Sequence, residues 1–247
     1  MTVTLVGAGP GDPMWLTGAA RAALTSAEVV VYDRPSAGAL VALAPPSAER
    51  RCVGRSPGRR ALSQDAVNAL LVDLGRSGRA VVRLKSGDPF VASRGGEEAL
   101  ALRAAGVAVA VVPGVSSALG APAAAGIPLM LRQLSVTATI VDGNDDPEHG
   151  TPPDWELLAR LGGTLVILTG RGRIRRIAAR LIAGGLPAET PVAAVSAGSR
   201  PAQRVVRGTL GALPAPLPPP VTFVVGAVAA LDLTAPASPE EAVRAHP

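Results

Sequence analysis

The stretch that decides the fold runs from Val81 to Glu98 and reads VVRLKSGDPFVASRGGEE. Its first residues, 81–84, form a short apolar run that predicts a buried strand. The next five, 85–89, read KSGDP and favour a turn, because glycine and proline are suited to turn dihedrals. A helix is predicted to begin at the Gly95–Gly96 pair, since the two glutamates that end the stretch then lie in its first turn, where the helix dipole favours acids.

The turn within this stretch has two interpretations. Its loop and the start of the helix carry one lysine, one aspartate, one arginine and two glutamates after a strand. Ligands bind at the carboxyl ends of strands in open α/β sheets, so the stretch is a candidate site. The alternative is a tight connection between strand and helix with its helix cap. The residues of this stretch alone leave both interpretations open.

Three further predicted strands run into polar or glycine-rich turns. The first leads into GAGPGDP at 7–13, where Asp12 replaces the third glycine of a dinucleotide fingerprint and Pro10 stiffens the turn. We therefore interpret this turn as something other than a pyrophosphate cradle. The second leads into Asp33, which either caps a loop or adds charge to a site. The third leads into PGVSS at 113–117, whose serines either cap the next helix or line a site.

The succession of elements predicts an α/β fold of two domains. Strands alternate with helices in the first half of the chain, and strands dominate the second half. We expect domains at 1–114 and 115–234 with an interdomain cleft, and a frayed tail at 235–247. The predicted helices are 16–26, 63–77, 96–105 and 173–183, and the predicted later strands are 107–112, 135–141, 164–168, 191–195, 204–207 and 221–225.

The charge of the chain indicates an anionic partner. The net charge is +5, and Lys85 is the only lysine, so arginine provides nearly all the positive charge. Guanidinium groups bind carboxylates and phosphates in a bidentate fashion. We expect no nucleic acid partner, because aromatic residues make up only 2% of the chain and no recognition motif is present.

The use of cysteine and histidine excludes several chemistries. Cys52 is the single cysteine, which excludes an intramolecular disulfide and a thiolate metal site. The two histidines, His149 and His246, lie in segments predicted to be irregular or terminal. We therefore expect no histidine metal centre and no Ser-His-Asp relay. The sequence shows no signal peptide and no apolar run of membrane-spanning length, so we expect a soluble, cytoplasmic protein without a membrane partner.

Two arginine features have alternative interpretations. Residues 50–60 hold five arginines and form either a solvated basic loop or a mobile lid over an acidic ligand. Arg132 lies in an otherwise apolar segment, 126–134, that connects the two halves of the chain. Its guanidinium either reaches solvent along the apolar surface or binds an anion.

Five ordered motifs resemble those of one known family. The motifs are GAGPGDP at 7–13, YDR at 32–34, LKSGDPF at 84–90, RGGEE at 94–98 and VPGVSSA at 112–118. They are similar to the motifs of the tetrapyrrole methylases, and their order and spacing are most like the uroporphyrinogen-III C-methyltransferase branch. The resemblance extends over residues 2–232.

The resemblance implies a fold, a cofactor and a reaction. The family has the class III methyltransferase architecture, in which a homodimer of two-domain α/β chains binds S-adenosylmethionine between the domains and releases S-adenosylhomocysteine, without a metal. Members of this branch methylate carbons 2 and 7 of uroporphyrinogen III to give precorrin-2, from which sirohaem and cobalamin are made. The eight carboxylates of this acceptor suit an arginine-rich protein.

By motif match, the resemblance assigns residues to the two halves of the site. The implied cofactor residues are Pro10, Ser86, Gly87, Asp88, Ser116, Ser117, Thr169, Ala197 and Thr209. The catalytic candidates are Arg94, Glu97 and Arg132, which match charged residues at the tetrapyrrole end, and Asp33. Arginine is rarely a base in proteins, so Arg94 is expected to hold carboxylates, and Glu97 to orient it or relay a proton.

The chain departs from the family's usual residues at several positions, among them Ser86, Leu131, Asn144 and Thr169. Two alternatives to the reaction of this branch therefore stay open. One is methylation of another acceptor, such as a different precorrin, a peptide amide or a secondary metabolite. The other is binding of S-adenosylmethionine without catalysis.

Overall fold

The structure is a computed structural model that describes residues 2–33, 37–54, 60–144 and 151–235. It divides into two compact units, Met1–Ser117 and Ala118–Pro247. Each unit contains one five-stranded sheet with helices, which confirms the predicted α/β class. The tail expected at 235–247 lies outside the described residues except for Ala235, as do Arg55 and Arg59 of the expected lid.

The first unit is built on a parallel sheet. Its strands are β1 (Thr2–Gly7), β2 (Val29–Tyr32), β3 (Glu49–Cys52), β4 (Val81–Lys85) and β5 (Ala108–Val112). Its helices are α1 (Gly18–Thr25), α2 (Gly38–Val41), α3 (Gln64–Arg76) and α4 (Gly95–Ala104). The strand order is β3-β2-β4-β1-β5, and every pairing is parallel. The carboxyl ends of all five strands therefore lie at one edge of the sheet, together with the loops that follow them.

Apolar residues on alternate sides of these strands bury both faces of the sheet. On one face, Val6 of β1 packs in a cluster with Leu24 of α1. On the other face, Leu5 packs in a cluster with Leu71 of α3 and Leu102 of α4. The helices therefore cover the sheet and leave its carboxyl edge to the loops.

The second unit is built on a mixed sheet. Its strands are β6 (Ala138–Asp142), β7 (Thr164–Leu168), β8 (Pro191–Ser196), β9 (Arg204–Thr209) and β10 (Val221–Val225). Its helices are α5 (Ser117–Ala124), which begins at the unit boundary, α6 (Trp155–Leu161) and α7 (Ile174–Ala183). The strand order is β6-β7-β10-β8-β9, with β10 antiparallel to both of its neighbours and β6 parallel to β7. The carboxyl ends of β6, β7 and β8 therefore share one edge.

Strand β3 corrects the prediction of an irregular loop that starts at residue 50. The segment Glu-Arg-Arg-Cys lacks an apolar run. Among the described strands β3 pairs only with β2, so it is an edge strand that keeps its charged side chains near solvent. Arg50 donates to the carbonyl oxygens of Ala44 (3.2 Å) and Ala48 (2.9 Å), and so it anchors the preceding turn. Arg51 pairs with Glu49 on the same strand.

Helix α6 is absent from the sequence-based prediction. The polar, proline-containing segment before it obscured its start, although Asp154 directly before Trp-Glu-Leu-Leu is a recognisable N-cap. The Asp154 side chain accepts a hydrogen bond from the Leu157 N–H (3.0 Å). Trp155 is fully buried in the core of the second unit. The four-residue α2 was also missed.

Candidate active site

The loops that follow β1 and β4 are joined by backbone hydrogen bonds at the carboxyl edge of the first sheet. The Ala8 N–H donates to the Lys85 carbonyl oxygen (2.7 Å). Further along, Gly9 and Gly87 exchange two backbone hydrogen bonds, at 3.1 and 2.9 Å. The two glycine-containing motifs that follow β1 and β4 therefore form one continuous backbone surface.

Glycine is required where these loops meet the loop after β5. A Cβ built on Gly7 would lie 2.4 Å from the Gly114 nitrogen, and one built on Gly114 would lie 2.4 Å from the Gly87 oxygen. Gly87 also has a φ of +68°, which glycine adopts at little cost. The backbones of the three loops are thus in direct contact. The surface at this part of the edge therefore consists of peptide groups and not of side chains.

The carboxylate of Asp88 links the loops after β4 and β5. Its Oδ1 accepts a hydrogen bond from the Phe90 N–H (2.8 Å), and its Oδ2 accepts one from the Gly114 N–H (3.1 Å). Ser93 Oγ donates to the Asp88 carbonyl oxygen (2.8 Å) and closes the turn. Asp88 is half-buried, whereas Ser86 is exposed. Asp88 therefore shapes the loop, and Ser86 is open to a ligand.

The start of α4 is packed against the loop after β4. The Gly95 N–H donates to the Pro89 carbonyl oxygen (3.1 Å), and a Cβ on Gly95 would lie 2.1 Å from that oxygen. Arg94 precedes it with a φ of +60°, in the left-handed region that non-glycine residues seldom adopt. Such a conformation costs about 1–3 kcal/mol and persists only where the surroundings hold it. Close packing at Gly95 therefore fixes the position of Arg94.

Exposed charged and apolar side chains adjoin this edge. Arg94 and Glu97 are both exposed at the start of α4. No hydrogen bond or ion pair joins them within the described ranges, so the role of Glu97 in orienting Arg94 or relaying a proton stays a prediction. Phe90 after β4 is 58% exposed and Met14 after β1 is 83% exposed. The edge thus offers a cation, a carboxylate and two apolar side chains to a ligand.

The other predicted cofactor residues of the first unit lie in the loops at the same edge. Pro10 follows β1 and is buried. Ser116 follows β5 and is also buried, and Ser117 begins α5. A Cβ on Gly87 would lie 3.2 Å from the Ser117 nitrogen, so the loops after β4 and β5 are adjacent at this point.

Two charged residues predicted to belong to the loop site are buried instead. Lys85 Nζ donates to Oε1 of Glu98 (2.7 Å), and Arg83 Nη2 donates to the same oxygen (2.9 Å). Arg83 Nη2 also donates to Oδ1 of Asp33 (2.5 Å). Lys85 and Glu98 point from β4 and α4 into the protein, because side chains alternate along a strand and a helix buries one face. They therefore do not line the edge themselves.

Burial and neighbouring charge shift the pKa values of both buried cations. Burial, and then the charge of Arg83, lower the pKa of Lys85, although Glu98 and Asp33 act in the opposite direction. Burial also acts to lower the pKa of Arg83. Asp33 and Glu98 outweigh that effect and hold the pKa of Arg83 above its ordinary value.

In the second unit, Thr169 and Ala197 lie at one edge of the sheet. They follow β7 and β8, whose carboxyl ends share that edge. Both have left-handed backbones, with φ of 57° and 48°. Such a conformation is a genuine outlier for a β-branched threonine, and outliers of this kind concentrate at functional sites.

Thr209 does not lie with these two residues, which corrects its grouping with them. Strand β9 is antiparallel to β8, and Thr209 pairs with Pro191 at the start of β8, whereas Ala197 follows the end of β8. Thr209 is therefore at the opposite edge of the sheet. Its Oγ1 accepts a hydrogen bond from the Ala212 N–H (3.1 Å), which is a turn contact.

Asp142 lies at the same edge of the second sheet as Thr169, and the sequence analysis did not identify it as a site residue. Thr169 Oγ1 donates a short hydrogen bond to Asp142 Oδ1, and the Asn144 N–H donates to the same oxygen (2.9 Å). Asn144 Oδ1 in turn accepts from Arg173 (2.5 Å). The signal that could have identified Asp142 is its position at the end of a strand: Asp142 ends β6, and Thr169 follows the parallel strand β7.

Arg132 also belongs to the second unit, where it is exposed. It lies in a turn closed by backbone hydrogen bonds between Leu131 and Ser135, both 2.9 Å. The guanidinium is therefore presented to solvent and available to an anion.

Neither a cluster of metal ligands nor a membrane-spanning helix is found in the described part of the chain. No group of three or more His, Cys, Asp or Glu side chains is placed to hold a metal ion among those residues. Within the same ranges, no helix is both long enough and apolar enough to span a bilayer.

Known proteins resemble this chain over most of its length. A Methanosarcina barkeri protein named S-adenosyl-L-methionine-dependent uroporphyrinogen III methyltransferase is 46% identical over 209 residues, which are 84% of this chain and 82% of the relative. Sirohaem synthase 1 of Cronobacter sakazakii is 45% identical over 93% of this chain. The match covers 49% of that synthase, so the chain spans about half the length of such relatives.

Solved structures also resemble the fold of this chain over most of its length. The uroporphyrin-III C-methyltransferase of Thermus thermophilus, solved with S-adenosylhomocysteine, superposes with a TM-score of 0.80 at 40% identity, over 92% of this chain and 98% of that one. The family model described as Tetrapyrrole (Corrin/Porphyrin) Methylases matches residues 2–214. With glycine-lined loops at the edge of a parallel sheet and matches over most of its length, the chain belongs to the tetrapyrrole methylase family.

Proposed function

We propose that the chain is an S-adenosylmethionine-dependent C-methyltransferase of uroporphyrinogen III. It transfers two methyl groups, to carbons 2 and 7, and gives precorrin-2 on the route to sirohaem and cobalamin. The observation that carries the proposal is the edge of the first sheet, where backbone-lined loops adjoin exposed Arg94, Glu97 and Phe90. The activities named for the Methanosarcina and Thermus relatives support the same reaction.

The residues at this edge fit S-adenosylmethionine. The glycine contacts let a ligand approach the peptide groups of the loops, which suits the many polar atoms of a nucleoside and an amino acid. Pro10, Ser86–Asp88 and Ser116–Ser117 are the proposed binding residues in the first unit. Thr169 and Ala197 are those in the second. The sulfonium of S-adenosylmethionine supplies an already activated methyl group, and therefore the chain's residues need only align the acceptor carbon with it.

The exposed charged residues fit an acceptor with eight carboxylates. Arg94 and Arg132 bind carboxylates as bidentate donors, a geometry that lysine does not reproduce. Phe90, 58% exposed, offers an apolar surface beside Arg94 for a pyrrole ring. Glu97 and Asp33 are the carboxylates available to take up the proton that the methylated ring releases.

We also propose that the enzyme is a cytoplasmic homodimer without a nucleic acid or membrane partner. Large apolar side chains are exposed on and before the edge strand β6: Met130 (61%), Leu134 (48%), Val136 (77%) and Ile140 (42%). An exposed edge strand with apolar neighbours is a common surface for self-association. A single cysteine fits a reducing compartment.

The dimer proposal has a direct test. Val136→Asp places a charge on the most exposed of these side chains, and light scattering should then report a monomer where the unaltered protein is a dimer. Leu157→Asp, at an exposed position of α6 (56%), is the control and should stay dimeric. An unaltered protein that is monomeric at micromolar concentration would contradict the proposal.

The activity is tested with purified protein, S-adenosylmethionine and enzymatically generated uroporphyrinogen III under anaerobic conditions. Absorbance of the oxidised dimethylated product should appear only when both substrates are present. Formation of S-adenosylhomocysteine without that product would indicate a different acceptor. Binding of S-adenosylmethionine without turnover would reduce the assignment to a binding protein.

A further inference from the structure

A cavity lies in the second unit between the start of α7 and the segment that joins β9 to β10. Its volume is about 160 Å³. Ala194 of β8 and Val221 and Phe223 of β10 form one wall, and these three residues belong to the core of the unit. Protein interiors hold few voids larger than a water molecule, so a cavity of this size beside the core needs an explanation. None of the residues proposed to bind S-adenosylmethionine lines it.

The proline-rich segment 213–217 forms a second wall of the cavity. It reads LPAPL, and its prolines prevent a regular helix or an inner strand there. A Cβ on Gly208 would lie 3.0 Å from the Pro214 nitrogen, so the segment passes close over β9 at its beginning. Beyond its end, Ser196 Oγ donates to the Pro218 carbonyl oxygen (2.5 Å). The segment is therefore held on both sides, and the cavity is preformed.

Two arginines that line the cavity have no partner among the described residues. Arg171 and Arg175 are both exposed and form no hydrogen bond or ion pair within those ranges. By contrast, Arg173 donates to an asparagine side chain, and Arg180 of the same helix pairs with a glutamate. The first turn of α7 contains no acidic residue, although the positive end of the helix dipole lies there. The charge at the mouth of the cavity therefore favours an anion.

The size of the cavity and the charge at its mouth together define a ligand. An engineered apolar cavity of about 150 Å³ binds benzene, so this cavity accommodates one ring-sized apolar group. The two guanidinium groups can bind a carboxylate on that ring through charge-assisted hydrogen bonds. A tetrapyrrole macrocycle is much larger than the cavity. The chemistry that fits is therefore a single apolar ring that carries a carboxylate.

We propose that this cavity is a binding site for a small aromatic carboxylate. The ring of the ligand lies against Ala194 and Phe223. Its carboxylate accepts hydrogen bonds from Arg171 and Arg175 at the mouth. The site goes beyond the proposed function and does not depend on it, since the cavity and the residues proposed for the cofactor have no member in common.

The test is ligand-observed saturation-transfer NMR with 4-methylbenzoate as the probe and 4-methylbenzyl alcohol as its uncharged counterpart. The alcohol should bind at least about tenfold more weakly, because it lacks the charged acceptor. The double variant Arg171→Gln/Arg175→Gln should weaken binding of the benzoate at least about tenfold and leave binding of the alcohol unchanged. Saturating S-adenosylhomocysteine should not displace the benzoate.

A substitution in the wall tests the position of the ring. Ala194→Leu fills the cavity with an isobutyl group and should abolish binding of both probes. Should Ala194→Leu fail to fold, the arginine pair still decides, because both arginines are exposed. Arg160→Gln, at an exposed position of α6 outside the cavity, is the control and should bind the benzoate as the unaltered protein does.

Four outcomes would overturn the inference. Displacement of the benzoate by S-adenosylhomocysteine would assign the cavity to the cofactor site. Equal binding of the two probes, or unchanged binding of the benzoate by the arginine double variant, would show that the arginines hold no carboxylate. The fourth is absence of benzoate binding at millimolar concentration. None of these results bears on methylation of uroporphyrinogen III, so failure of this inference and failure of the proposed function are distinguishable.

Discussion

Asp88 holds two loops together with one carboxylate, since its oxygens accept from the Phe90 and Gly114 N–H groups. Sequence alone assigns Asp88 to the cofactor through resemblance, but it does not show that both oxygens are engaged within the protein. An effect of Asp88 on cofactor binding therefore acts through the shape of the loop.

Asp88→Ala should weaken S-adenosylhomocysteine binding and lower the free energy of unfolding, because two backbone donors lose a charged acceptor, each worth about 1.5–3 kcal/mol. Calorimetric titration and denaturant unfolding measure the two effects. Asp88→Asn keeps one acceptor oxygen and should fall between the unaltered protein and Asp88→Ala. Unchanged affinity in Asp88→Ala would contradict the assignment of this loop to the cofactor.

Arg94 differs from Asp88 because its side chain is exposed and the surrounding backbone fixes its position. Arg94→Ala should reduce turnover at least about 100-fold through loss of acceptor positioning and leave S-adenosylhomocysteine affinity unchanged. Arg132→Ala should behave in the same way. Steady-state kinetics and calorimetry separate the two readouts. Arg103→Ala, an exposed arginine in the last turn of α4, is the control and should stay active. If Arg94→Ala and Arg132→Ala lost S-adenosylhomocysteine affinity as much as turnover, the placement of these arginines at the acceptor end would be contradicted.

The elements show which parts of the fold a sequence can predict. Strands β7 and β10 have the predicted bounds, because an apolar run with turn residues on both sides is a local signal. Strand β3 has no such run, since this edge strand forms through its backbone pairing with β2 and not through an apolar pattern of its own. The misplacement of Thr209 has a related cause: strand direction depends on pairing between distant segments, and nothing near Thr209 indicates that β9 runs antiparallel to β8.

Helix α4 offers a matched pair of glycines that tests the packing at its start. Gly95→Ala puts a methyl group against the Pro89 carbonyl oxygen and should lower the free energy of unfolding by about 1–3 kcal/mol. Gly96 has no atom within 4 Å of a built Cβ, so Gly96→Ala should raise the free energy of unfolding by about 0.4–1 kcal/mol. Chemical denaturation measures both. Equal effects of the two substitutions would contradict the close approach of the loop to α4.

At the scale of the whole molecule, the residues proposed to bind ligands come together through topology. Pro10, Asp33, Asp88 and Ser116 are spread over more than a hundred residues, yet all follow strands of one parallel sheet. The sequence predicts the strands and the polar turns, and the parallel arrangement then places those turns at one edge. The Arg83–Glu98 cluster could not be predicted in the same way, since only packing shows that α4 turns Glu98 toward β4.

The central claim is that this chain methylates carbons of uroporphyrinogen III. The most direct measurement uses S-adenosylmethionine with a 13C-labelled methyl group and follows the tetrapyrrole by NMR and the by-product by chromatography. The account predicts two labelled methyl signals, on carbons 2 and 7, and two molecules of S-adenosylhomocysteine for each tetrapyrrole converted. A tetrapyrrole that stays unlabelled while the protein binds S-adenosylmethionine, or transfers its methyl group elsewhere, would contradict it.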